Sequence, residues 1–369
     1  MGSLVTGIGY IGTRLVEMLL DAGETVVGMD NLFSTDPSAI HRLSERPGFL
    51  FLEGNVADEE AVRRAFGAGV PVDTVYHLAA QASANPTAAP IRYTEETNLI
   101  GPRVVLEQAR KAGASTFVFG GSIQVYGRRV EGQIDESTPY GPILDIAHLS
   151  KVHVEKLMEM FSLLHGLRCF SARLALVYGV GPVMKSDPRF MTAPNKFCGL
   201  AARGESLRLD ATAFHPTSII HLDDACRGLI ALANSPRDGY AAINLLGETA
   251  SVAQVAFQLQ RLAARRGLKT QIESPEVQPP PVHCSFASAL TEEEFSPRVP
   301  LEEGLQGTLD YFLRSDLSPS PSPTRGGETI PPSPVGKGDR GLGLEDRGLG
   351  LEDRGLGLEG RGLGLEASQ

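Results

Sequence analysis

The sequence predicts an α/β chain built on a doubly wound parallel sheet, followed by a smaller C-terminal α/β lobe and a disordered tail. Three observations predict it. Apolar runs of strand length alternate with longer stretches of helical periodicity through the first half. The first of these runs passes through a glycine-rich turn straight into a helix. After Pro182 the texture changes to Pro, Gly and short apolar runs, and after Ser315 it collapses into low complexity.

The elements follow in order. Residues 3–6, 25–29, 48–52, 74–78 and 116–119 are rich in Val, Leu, Phe or Tyr and bounded by Gly, Asp or Asn, as buried strands are. Between the first two, Ile11, Leu15, Val16, Leu19 and Leu20 mark one buried helical face that Gly23 ends. A second helix over 58–66 has Asp58 as its cap. A long amphipathic helix after Lys151 carries Val152, Leu157, Phe161 and Leu164 and stops at Gly166. One strand over 169–177 is expected to close the core sheet. Beyond it lie short strands at 207–209, 219–222 and 242–245, helices at 225–233 and 252–265, and a last helix over 301–312. The expected division is 1–181, with return elements from the C-terminal half, then 182–314, then a tail of 315–369. The tail ends in four near-copies of Asp-Arg-Gly-Leu-Gly-Leu-Glu, the last with Gly360 in place of Asp. Each glycine costs a helix roughly 1 kcal/mol relative to Ala, so no heptad seam forms and disorder is expected.

Composition narrows the function. A 369-residue chain that is 42% hydrophobic has ample material for a large core. Its net charge of −10 argues against nucleic acid and anionic membranes as partners, because both are themselves negative. Cys169, Cys198, Cys226 and Cys284 form no C-x-x-C pair, so no metal site is expected. No leader segment or membrane-length apolar run is evident, and the expected location is cytoplasmic.

The turn Gly7-Ile8-Gly9-Tyr10-Ile11-Gly12 reads G-x-G-x-x-G between a strand and a helix. Gly7 permits the tight turn, Gly9 removes a Cβ where a pyrophosphate approaches, and Gly12 lets the helix pack on the strand. The alternative is an ordinary flexible turn. Asp30, 18 residues after Gly12, closes the second strand where a carboxylate takes both ribose hydroxyls of an adenosine. It repels a 2′-phosphate, and no Arg lies between Asn31 and Asp36, so the expectation is a Rossmann-type domain binding NAD rather than NADP.

With these residues in place the chain resembles the extended short-chain dehydrogenase/reductase family, the NAD-dependent epimerase/dehydratase group acting mostly on nucleotide sugars. The resemblance runs from about residue 4 to 312, and its landmarks appear in order: the Thr6-Gly7 turn, Asp30-Asn31, Gly54-Asn55-Val56, His77-Leu78-Ala79-Ala80, Asn98, Ser122 with Val125-Tyr126-Gly127, Ser150-Lys151, Val177-Tyr178-Gly179 and His221-Leu222-Asp223-Asp224. The resemblance implies that Gly7, Gly9, Tyr10, Ile11, Gly12, Asp30, Asn31, Asn55, Val56, Leu78, Ala79, Ala80, Asn98 and Lys151 serve the cofactor. It also implies a substrate-binding lobe over 182–314 and a homodimer pairing 98–112 with 151–165 as a four-helix bundle.

Family members carry a Ser or Thr, an acid/base Tyr, and a Lys four residues after the Tyr. A phenol with pKa near 10 needs a cation one helical turn away to act as a base. Ser122 and Lys151 match, but Ala147 stands four residues before Lys151 where the Tyr belongs. Tyr140 stands where relatives have a loop. His148, three residues before Lys151, is the other candidate proton carrier, against the reading of a packing or solvent-facing histidine. The glycine turn is one residue short, and Asn55 replaces a common Asp. Leu176 replaces an Asn that holds the nucleotide sugar, and Thr217 an Arg that meets its pyrophosphate. Ile123 and Gln124 supply no carboxylate where dehydratases carry an Asp-Glu pair. The expected activity is epimerisation or alcohol oxidation by hydride transfer. The alternative is a non-catalytic NAD-binding member that has lost its Tyr.

Overall fold

The computed structural model describes residues 2–315 except 86, 128, 186 and 277–281. The expected tail of 315–369 lies outside the described residues beyond Ser315. The first half builds β1 (Gly2–Thr6), α1 (Tyr10–Asp21), β2 (Thr25–Asp30), α2 (Pro37–Ser44), β3 (Phe49–Glu53), α3 (Glu59–Phe66) and β4 (Val72–His77). There follow α4 (Ile91–Glu95), a π-helical turn (Glu96–Ile100), α5 (Gly101–Ala112), β5 (Thr116–Gly120), a short 3-10 turn (Ile123–Tyr126) and β6 (Gly132–Ile134). Then come α6 (Ile146–His165), β7 (Arg168–Leu174), β8 (Leu176–Tyr178), α7 (Ala193–Ala202), β9 (Leu207–Arg208), β10 (Pro216–His221) and α8 (Leu222–Ala233). The chain finishes with β11 (Tyr240–Leu245), β12 (Glu248–Ser251), α9 (Val252–Ala264), β13 (Ile272–Glu273), β14 (Cys284–Phe286) and α10 (Leu301–Arg314).

Seven strands form one parallel sheet in the order β11-β7-β5-β4-β1-β2-β3. The order reverses between β1 and β4, the crevice where open α/β sheets bind ligands. Because helices cover both faces, the strands read as continuous apolar runs: Leu4, Val5, Val26, Val27, Val75, Phe117 and Val118 are fully buried. One core lies under α1 and α8 and includes Leu15, Val16, Leu19 and Leu229. The other lies under α3, α5 and α6 and includes Val62, Val105, Leu106 and Met158. A third, around Phe197, Leu259, Leu305 and Leu309, joins α7, α9 and α10 beneath β10 and β12.

Two expectations change. The stretch 169–177 is not one strand. β7 ends at Leu174, the Ala175 N–H turns to the Leu245 carbonyl, and β8 joins β10 and β12 in a separate sheet. Residues 242–245, expected in the lobe, lie within β11 and close the main sheet in parallel register beside β7. Leu245 and Ile243 read like any short apolar run, so only the pairing partner reveals which sheet they join.

Capping agrees with the residue chemistry. Asp58 accepts from the Glu60 and Ala61 N–H groups at the start of α3. Asp145 caps α6 through the His148 N–H, and Gly166 ends it in the left-handed conformation at φ 69°. No helix of the described residues is long and apolar enough to cross a membrane. No cluster of three metal-ligating side chains occurs among them either.

Candidate active site

A cavity opens at the C-terminal ends of β1, β2, β4 and β5. Its walls hold Gly7, Gly9, Tyr10, Ile11, Gly12, Asp30, Asn31, Val56, Leu78, Ala79, Ala80, Ser122, His148 and Lys151. These residues are scattered over 145 positions of sequence, and the sheet topology alone assembles them.

The glycine turn is built for a close approach of backbone. Gly7 has φ +85°, and a Cβ there would lie 2.4 Å from the Ala79 nitrogen. A Cβ on Gly12 would lie 1.9 Å from the Gly7 carbonyl oxygen, so the first turn of α1 packs against the loop only without one. Gly9 differs: its nearest neighbour would be Thr35 Oγ1 at 3.7 Å. Protein packing therefore does not demand a glycine there, whereas a ligand resting on the amino end of α1 would.

Asp30 secures the shortened turn. Its Oδ2 accepts the Ile8 N–H at 2.7 Å and its Oδ1 the Leu32 N–H at 2.7 Å. Burial raises its pKa, opposed by those bonds and one with the Thr35 hydroxyl. A carboxylate has about four acceptor sites. Two are taken by the Ile8 and Leu32 N–H groups. Next to it Leu32 has φ 56°, the one positive φ outside glycine among the described residues. Phe33 beyond it stacks on Tyr93 with centroids 4.1 Å apart, and Asn31 Nδ2 donates to the Tyr93 hydroxyl at 3.3 Å.

Two expected cofactor residues stand outside the cavity wall. Asn55 Oδ1 accepts the Ala57 N–H at 3.0 Å, closing the turn that leads into α3. Asn98 is buried in the π-helical turn, where it brackets Gln81 by accepting its N–H at 2.8 Å and donating to its carbonyl at 2.9 Å. It also donates to Ser150 Oγ at 3.1 Å.

At the inner end Lys151 Nζ donates to the Gly120 carbonyl at 2.8 Å and stands 4.7 Å from the centre of the Phe119 ring. Burial pulls its pKa down to about 8. Ser122 Oγ accepts the Gln124 N–H at 3.2 Å, and no acceptor for its proton occurs among the described residues. Ala147 lines the cavity too and is 2% exposed. His148, beside it, is partly buried, and its Nδ1 lies 2.8 Å from both oxygens of Asp145. That pairing holds the ring through Nδ1.

Tyr140 is committed elsewhere. Its hydroxyl donates to Glu155 at 2.9 Å, and burial beside that carboxylate pushes its pKa up to about 12. Leu176 lines the cavity, while Thr217 does not. Sequence reasoning passed over Lys185 and Thr192, which share the same walls. The only signal at Lys185 was a lone cation in an irregular Pro/Gly loop.

Comparison with known proteins agrees with this geometry. A UDP-glucose 4-epimerase of Mycolicibacterium smegmatis is 26% identical over 324 residues, covering 85% of this chain and 98% of the relative. One of Erwinia amylovora is 34% identical over 166 residues, 44% of this chain, so the match spans about half (49%) of that relative. The UDP-glucose 4-epimerase of Thermotoga maritima, solved with UDP-glucose, superimposes with a TM-score of 0.73 at 28% identity, covering 85% of this chain and 98% of that one. The Thermus thermophilus UDP-glucose 4-epimerase, solved with NAD, gives 0.71 at 25% identity over 85% of this chain and 100% of its own. The model of the NAD dependent epimerase/dehydratase family matches residues 3–247, and this chain belongs to that family.

Proposed function

We propose that the chain epimerises a nucleotide sugar using NAD, with His148 in place of the family's phenol as the proton carrier. The observation that carries this reading is that one cavity at the sheet's switch point holds both the glycine turn and the Ser122–His148–Lys151 group.

The cavity fits NAD. The open face of Gly9 and the amino end of α1, formed by Gly7, Gly9, Tyr10, Ile11 and Gly12, suit its diphosphate. The Asp30 carboxylate, with Asn31, suits the adenosine ribose and disfavours a 2′-phosphate. Val56, Leu78, Ala79 and Ala80 supply apolar wall, and Lys151 meets the nicotinamide ribose. NAD bound there would supply hydride-transfer chemistry at a carbinol carbon of the sugar.

The protein's own groups manage the proton. His148 Nε2 accepts it from the sugar hydroxyl and gives it back, while the Asp145 carboxylate holds the ring through Nδ1. Ser122 donates a hydrogen bond to the same oxygen, and the charge of Lys151 favours negative charge developing there. Gln124 lines the cavity without offering a carboxylate, so loss of a hydroxyl by dehydration has no acid to assist it. The exposed Met160, Leu163 and Leu164 on α6, beside a groove between α5 and α6, favour a homodimer through these helices.

The test is interconversion of UDP-glucose and UDP-galactose followed by NMR, with nicotinamide absorbance recorded in parallel. His148→Ala is expected to lower kcat by about 100-fold or more while NAD affinity stays unchanged. Tight NAD binding with no reduction of the nicotinamide by any UDP-sugar would instead favour the non-catalytic member that lost its phenol at Ala147.

A further inference from the structure

The substrate side of the cavity lacks the grip that the family pattern provides, since Leu176 lines the wall and Thr217 stands outside it. The loop after β8 brings a different cation. Lys185 lines the same cavity as His148 and Lys151. Unlike Lys151, whose ammonium donates to the Gly120 carbonyl, it has no hydrogen-bond or ion-pair partner among the described residues. Burial alone pulls its pKa down to about 8. An unpaired cation in such a place is costly to keep unless a ligand supplies the missing charge.

A second unsatisfied group comes from the same loop. Thr192 lines the cavity and is the N-cap of α7, yet its side chain makes no cap bond, and its Oγ1 is buried without a hydrogen-bond partner. Buried polar atoms are normally paired, so this one also awaits a partner. The loop is tied to the cofactor side of the fold. The Tyr10 hydroxyl donates to the Gly179 carbonyl at 2.7 Å, and Arg42 donates to the Pro182 carbonyl at 3.2 Å. Among the lining residues Asp30 is the one carboxylate, against the two lysines.

We propose that Lys185 and Thr192 form an anion subsite that takes a diphosphate, carried by the cofactor or by the nucleotide sugar. The assignment rests on the nucleotide-sugar reading above. A bound diphosphate restores the ammonium's pKa upward, so binding takes up a proton above about pH 8, and affinity falls as pH rises through that region.

Calorimetry on the full chain tests this, titrating NAD first and then UDP into NAD-loaded protein, for wild type, Lys185→Met, Lys185→Arg and Thr192→Val. Lys185→Met is expected to weaken one titration by about tenfold or more, and Lys185→Arg to recover most of the loss. Thr192→Val is expected to weaken the same titration by a smaller factor. The decline above about pH 8 should become shallower in Lys185→Met, Lys151 in the same cavity supplying what remains. A loss confined to NAD places the subsite at the cofactor, and one confined to UDP places it at the substrate. Wild-type affinity for both ligands in Lys185→Met overturns the subsite while leaving the nucleotide-sugar reading intact. If wild type binds neither ligand, the reading and the subsite fall together.

Discussion

Lys151 shows how far one buried side chain reaches. Its ammonium would have a pKa of 10.5 in the unfolded chain and is drawn down to about 8 by burial in the fold without cofactor. Between those values the unfolded state binds more protons, so the contribution of this group to stability rises with pH from about 8 to about 10.5. The full rise is on the order of 3 kcal/mol. Denaturant midpoints of the cofactor-free protein at about pH 7 and about pH 9.5 should therefore converge on those of Lys151→Met from below. Parallel behaviour of the two proteins would refute the burial argument. At this scale the sequence was legible where spacing encodes the role. Gly7, Gly9, Gly12, Asp30, Ser122 and Lys151 all reach the cavity. Asn55 and Asn98 bond to nearby backbone beside the cavity, partners that folding sets and spacing does not show.

Among the elements, α6 carries the chemistry, and its register depends on a buried ion pair that no local pattern announces. Glu155, four residues after Lys151, is fully buried and accepts from Arg173 at 3.0 and 2.7 Å, from Ser171 at 2.9 Å and from Tyr140 at 2.9 Å. Arg173 on β7 donates in turn to the Tyr126 hydroxyl at 2.7 Å. The network fastens α6 to the sheet, with Lys151 and His148 one and two turns nearer the cavity. Its value lies in orientation more than in net stability, since a buried pair roughly balances its own desolvation. Removing one partner is another matter. Glu155→Gln leaves the guanidinium unpaired and is expected to cost about 3 kcal/mol, lowering the thermal midpoint by about 5 °C or more. A midpoint within about 1 °C of wild type would mean that α6 is held by its apolar face alone.

For the whole molecule, the proposed dimer accounts for apolar side chains that the fold leaves outside. Leu163 is 81% exposed and Leu164 68%, on the last turns of an otherwise well-packed helix. Sedimentation is expected to show a dimer that Met160→Glu with Leu164→Glu converts to monomer, with NAD affinity retained; a wild-type monomer at micromolar concentration would remove the assignment. The sequence by itself determined the parallel α/β architecture, the glycine turn and its acid, and the absent phenol, because periodicity, capping and short motifs are local and survive without a fold. Tertiary structure decided the rest. It split 169–177 between two sheets and returned β11 to the main one. It fixed the His148 ring against Asp145 and turned Lys185 and Thr192 into the cavity shared with Lys151. Those outcomes depend on which distant strands pair and which loops pack on them, and strand pairing across more than a hundred residues leaves no mark in the spacing of neighbours.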